Sequence, residues 1–183
     1  MSMDGIELND YTLTVNGDFT QEDGRMYVDG GTLYITGDYT IATDGYIEMS
    51  VPGSNVVVGG DFTTNSGAPC GNYSGYNYYL YGTLSVGGNV YQNNETVNNF
   101  YLSSTNLKFV GTGLHTISSV NADTDIQNVY LDEGAQLKLD GEFSWISLAE
   151  DTELVNDSIM SMDVMYLDGY TLTVNGDFTQ EDG

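Results

Sequence analysis

At 183 residues, with 27 acidic side chains against three basic ones and a formal net charge of −24, the chain lacks the clustered cations that nucleic acid or anionic membrane would need. Fifteen Tyr, 23 Gly and only two Pro favour strands joined by tight turns over helices. No apolar run approaches the ~20 residues of a membrane helix, so no membrane insertion is expected, and the length suits a single domain.

The first element, YTLTVNGDFTQEDG at Tyr11 to Gly24, organises the rest, because it returns word for word at Tyr170 to Gly183. Met1-Ser-Met-Asp4 returns as Met160-Ser-Met-Asp163 and Leu8 as Leu167, all at one offset of 159 residues. Residues 1–183 therefore read as a single solenoid segment, with 1–159 one long repeat and 160–183 the start of the next. This suggests an excerpt of a longer protein.

A shorter repeat runs inside the long one. Its core, Leu-x-Val-x-Gly-Asp-Phe, is Leu13 to Phe19, then Leu33 to Tyr39, Val56 to Phe62, Leu84 to Val90, Leu137 to Phe143 and Leu172 to Phe178. Leu107 to Gly113 is a worn copy. The glycines Gly17, Gly37, Gly60, Gly88, Gly111, Gly141 and Gly176 advance by 20, 23, 28, 23, 30 and 35 residues. Period-2 apolar residues ending at a Gly predict a short strand running into a corner. Spacings in the twenties predict one solenoid coil each. The expected fold is all-β, a right-handed parallel β-solenoid (β-helix) with coils of about 20–30 residues, the hand following the rule for parallel crossovers. Asn16-Gly17 taken singly would signal a β-hairpin. The number of copies, and Thr36, Gly59, Gly87 or Asp140 in place of Asn16, favour the solenoid.

Further along, residues 65–82 form a Tyr-, Gly- and Asn-rich insertion, read as a loop leaving the solenoid surface. Tyr73, Tyr76, Tyr78 and Tyr79 make it the candidate for contact with a partner such as a cell-surface glycan; a decorative loop is the plainer reading. Cys70 stands there alone, which excludes an intrachain disulfide. Residues 91–101 read as a connection, and Leu148 to Val155 as the most helix-like stretch of a chain with minimal helix.

In-register coils stack Asp18, Asp38 and Asp61, with Asn89 next, about 4.8 Å apart. Neighbouring carboxylates there repel by about 1 kcal/mol in water and more in lower dielectric. An Asx turn at each corner is the favoured remedy, and Ca²⁺ bridging the carboxylates is the rival. The Gly-Gly-x-Gly-x-Asp calcium repeat is missing, so no cofactor is expected and calcium is the one cation left open. The adjacent column, Phe19, Tyr39, Phe62, Val90, Phe143 and Phe178, reads as core aromatics that fix the register between coils.

Catalytic signals are weak, and no enzyme is expected. His115 is the only His, in a strand-like setting. Arg25, Lys108 and Lys138 are too scattered to meet the carboxylates of an acidic polysaccharide. Paired carboxylates for glycoside hydrolysis carry no signal where acids are everywhere.

The word Gly-Thr-Leu-Tyr-Ile-Thr-Gly-Asp-Tyr, Gly31 to Tyr39, resembles repeats of very large bacterial surface or secreted proteins that build parallel β-helix stalks, filaments and adhesins. That resemblance implies an extracellular or cell-surface scaffold. Together with the 159-residue period it implies a structural repeat of a filament, fibre or stalk, partnered end to end with itself. The alternative is a carbohydrate- or surface-binding adhesin module using the Tyr-rich insertion. Ice binding ranks last, because Tyr34, Val57 and Ser85 interrupt the Thr-x-Thr pattern of Thr12 and Thr14.

Overall fold

The computed structural model describes residues 5–66, 81–94, 100–102, 105–120, 124–155, 158–176 and 178–180. Residues 100, 101, 158–160 and 178–180 are described through their backbone alone. Among the described residues eighteen strands join in one sheet, every pairing is parallel, and no helix occurs. This is the arrangement of a β-solenoid. Parallel pairing between successive copies also removes the hairpin reading of Asn16-Gly17, which would have required antiparallel neighbours.

The short repeat builds two stacks of strands meeting at the Gly-Asp corner. On the first, Thr12–Val15, Thr32–Ile35, Asn55–Val58, Gly82–Val86 and Thr105–Phe109 lie side by side. Leu13, Leu33, Val56, Leu84 and Leu107 form one inward row of this stack, and Val15, Ile35, Val58, Val86 and Phe109 the other. The alternation is the pleat at work: the first and third residues of each Leu-x-Val word fill the interior and the middle one faces out. Leu33, Ile35, Val56 and Leu107 are fully buried. The worn copy, Leu107-Lys-Phe109, keeps this register.

Beyond the corner, Phe19, Tyr39, Phe62, Val90, Ile117 and Leu139 form an inward row of the second stack. A third run of pairing sets Gly5–Glu7 on Arg25–Tyr27 and Tyr46–Glu48, and later Trp145 and Ile146 on Val164 and Met165. One ladder crosses the described chain without a break: Gln21, Ile41, Thr64, Gln92, Ser119, Gly141, Met160, Gln180. Its successive residue numbers differ by 20, 23, 28, 27, 22, 19 and 20, the lengths of the coils.

Two sequence expectations are corrected here. Leu137 to Phe143 is not in register with the other copies. Leu137 pairs with Leu154, which pairs with Val174, so Leu137 takes the place of the motif's Val. Leu139 stands opposite Ile117 and so joins the aromatic row instead. Gly141 is thereby carried past the corner to lie opposite Ser119, and Phe143 lies opposite Met162. Second, the helix-like stretch is not helical: Thr152–Leu154 is a strand, with Thr152 and Leu154 buried and Glu153 facing out.

Candidate functional site

The Gly-Asp corner is bonded between coils rather than within them. The Asp18 carboxylate accepts the Asp38 amide at 2.9 Å, Asp38 accepts the Asp61 amide at 2.8 Å, and Asp61 accepts the Asn89 amide at 2.7 Å. The Asn89 side-chain oxygen continues the series by accepting the Thr116 amide at 2.8 Å. An Asx turn would close on the same corner; these bonds span 20, 23, 28 and 27 residues. Each carboxylate thus meets a backbone N–H dipole of the next coil, which offsets part of the repulsion along the column. Asp18 and Asp38 are solvent-exposed, which keeps the remaining repulsion small.

The glycine before each Asp has a steric reason. A Cβ at Gly37, Gly60 or Gly88 would lie 2.1, 2.0 or 2.2 Å from Oδ1 of Asp18, Asp38 or Asp61 respectively. The carboxylate of one coil needs the bare backbone of the next. Gly17 and Gly176 differ, with φ of +106° and +111° and, at Gly17, open space around a Cβ. They need glycine for the left-handed backbone.

A parallel backbone ladder runs beside the carboxylates. The amides of Gly37, Gly60 and Gly88 donate to the carbonyls of Gly17, Gly37 and Gly60 at 2.9–3.0 Å. His115 ends it: its Nδ1 lies 2.7 Å from the Gly88 carbonyl, so Nδ1 carries the hydrogen, and the ring stacks on Phe109 with centroids 4.9 Å apart. His115 and Thr116 together close the two ladders where the Gly-Asp word stops. The only histidine is buried and bound to the backbone of the coil before it.

The aromatic row packs as rings. Phe19 stacks on Tyr39 at 5.4 Å and Tyr39 meets Phe62 edge-on at 5.5 Å. Tyr39 and Phe62 are fully buried, and the Tyr39 hydroxyl donates to Gln21 Oε1 at 2.6 Å. Gln21 in turn donates to the Gly24 and Tyr46 carbonyls, so the buried amide is satisfied on both sides. Phe143 is outside this row, and only the backbone of Phe178, opposite Ser158, is described.

Four further acids also accept amides from neighbouring coils. Asp29, Asp132 and Asp151 accept the amides of Ser50, Gly111 and Thr171, and Glu150 that of Leu131. The three cations also have neighbours: Lys108 pairs with Asp132 at 3.0 Å, Lys138 with Asp140 at 3.6 Å, and Arg25 donates to the Tyr27 hydroxyl. Among the described residues no group of three or more His, Cys, Asp or Glu is arranged to hold a metal ion. Tyr73, Tyr76, Tyr78, Tyr79 and Cys70 lie outside the described residues. Tyr34, Val57 and Ser85 do stand in the row of Thr14.

Burial raises the pKa of Glu48, with Asp29 adding to the effect, and burial likewise raises that of Glu150. The Gly111 amide, then Lys108, lowers that of Asp132. A raised carboxyl contributes stability that is complete below its unfolded value and lost as pH rises through its folded value. The lowered Asp132 contributes above its unfolded value and is lost as pH falls through its folded one. At low salt the melting temperature is therefore expected to be higher at about pH 5 than at about pH 8. In ~1 M salt only the smaller part due to neighbouring carboxylates should shrink, while the part due to burial persists. A thermal scan at both pH values checks this, and a flat or inverted dependence would contradict it.

No protein-family model, curated protein or solved structure matches the chain.

Proposed function

We propose that the chain is a structural repeat of an extracellular filament, fibre or surface stalk, stacking end to end through its coils. One observation carries this reading. The ladder that leaves Gln21 reaches Gln180, the same residue of the duplicated word, after seven parallel steps. The solenoid that starts with this word arrives at it again without changing direction.

The two copies also share local geometry. The Tyr11 amide donates to the Leu8 carbonyl at 2.9 Å and the Tyr170 amide to the Leu167 carbonyl at 2.7 Å. Asn9 and Asp10 have positive φ, as do their counterparts Asp168 and Gly169. The acids support an exposed, repetitive scaffold: they cap amides between coils and keep neighbouring rods apart by charge. Labelling intact cells and extracted surface material with an antibody against this repeat tests the reading. Regularly spaced decoration of fibres is expected, and label confined to the cell interior would overturn it.

Calcium is expected to add stability at most, because a backbone amide of the next coil already occupies Oδ1 of each of Asp18, Asp38 and Asp61. Melting with and without a chelator checks this. Loss of β-structure on chelation alone would make the column a metal site.

A further inference from the structure

We propose that the outer edge formed by Gly5–Glu7 and Thr12–Val15 is the seat for residues 145–154 of a second copy of this repeat, in a register that the chain already displays. The inference rests on the filament reading and assigns its junction. Among the described residues no strand lies on the outer side of Gly5–Glu7 or Thr12–Val15: each pairs on one side only, with Arg25–Tyr27 and with Thr32–Ile35. Ile6, Leu13, Val15 and Phe19 are core residues left partly open there. A shallow, water-open pocket lies at the same edge, lined by Ile6, Phe19, Gln21 and Met26 among others.

The occupant is identified by the duplicate. Leu172, Thr173 and Val174 repeat Leu13, Thr14 and Val15, and they are already covered on one side. Thr152, Glu153 and Leu154 lie opposite them in order. The Thr171 amide donates to Asp151 Oδ1 at 2.7 Å and the Thr152 amide to the Thr171 carbonyl at 2.9 Å. The Asn175 side chain donates to Glu153, which also accepts from Gln136. Subtracting the 159-residue offset moves every one of these partners onto the open edge. Glu153 of the second copy then faces Thr14, Leu154 faces Val15, and Asp151 receives the Thr12 amide. The open apolar rows receive an apolar strand, and Asn16 receives the same carboxylate that Asn175 holds.

One contact changes at such a junction. Trp145 stacks on Tyr166 with centroids 4.5 Å apart, and residue 166 corresponds to Glu7. Above Gly5 and Glu7 the indole loses that ring.

The test places a copy of residues 1–159 directly before the full chain, with both copies of Cys70 replaced by Ser. Cysteines are introduced as Glu153→Cys in the leading copy and Thr14→Cys in the following one. The control is the full chain with Glu153→Cys and Thr173→Cys, whose positions stand opposite each other already. Directly opposed strand residues lie within the Cα separation of a disulfide. Mild oxidation is expected to close the junction pair to the same extent as the control, while an out-of-register pair, Glu153→Cys with Thr20→Cys, stays open. A closed control with an open junction pair would overturn the register. A second pair, Ser147→Cys with Glu7→Cys, repeats the test at another point and must give the same result. The filament reading fails separately: particle length measured on the same tandem decides it, whichever pair closes.

Discussion

Replacing Phe62 by Ala is expected to destabilise the protein by about 3–5 kcal/mol, the range for emptying a buried aromatic site. Phe62 is fully buried, meets Tyr39 edge-on and stands opposite Val90 in the next coil. Its loss removes ring contacts from one neighbour and apolar cover from the other. The rungs above and below are tied by backbone ladders, so the cavity has little room to collapse. In a solenoid each coil is stabilised chiefly by its two neighbours, so the damage should divide the stack at this level. Phe19→Ala should cost less, because Phe19 lies at the open edge and is only partly buried. Urea unfolding followed by circular dichroism checks both. Equal effects at the two positions would contradict the nearest-neighbour picture.

Gly60→Ala is the second large effect, expected at about 2–4 kcal/mol from overpacking and a disturbed charge-assisted hydrogen bond. The new methyl would lie 2.0 Å from Asp38 Oδ1 and 3.1 Å from the Gly37 carbonyl carbon. Either the carboxylate swings away and releases the Asp61 amide, or the coils separate. Asp38→Ala in the same chain removes the clashing oxygen, so the double variant should be more stable than the sum of the two losses predicts. Asp38→Asn keeps an oxygen for the Asp61 amide and removes one charge from the column. It should fall within about 1 kcal/mol of the parent, since Asn89 already plays this part naturally. Additive losses in the double variant would show that the glycine is needed for something other than the carboxylate.

Much of the fold was legible because the pleat writes itself into sequence. Leu13-Thr-Val15, Leu33-Tyr-Ile35, Val56-Val-Val58 and Leu84-Ser-Val86 alternate about a corner glycine, and all four stand in register. The copy at Leu137 matched the same word and still slipped. A shift of two residues returns every side chain to the same face, so the apolar pattern of Leu137-Lys-Leu139 satisfies the core in either position. What decides between them is the longer path that two coils take between the stacks. Phe109 to Ile117 and Leu131 to Leu139 each span eight residues where Val86 to Val90 spans four. The use of the Asp side chains was legible only in part. Their stacking follows from the repeat, but whether each bonds its own corner or the next coil depends on a contact 20 or more residues away. The signal was in the preceding residue. Gly37, Gly60 and Gly88 mark the positions that a neighbouring carboxylate covers. His115 carried no such mark, because a ring nitrogen replacing a backbone amide has no sequence pattern of its own.

The most direct measurement is the length of particles containing one, two and three tandem copies of the 159-residue repeat, by solution scattering or electron microscopy. Seven inter-strand steps of ~4.8 Å predict a rod that grows by ~34 Å per copy at constant cross-section. Copies that fold as separate bodies, or particles that widen instead of lengthening, would contradict the account.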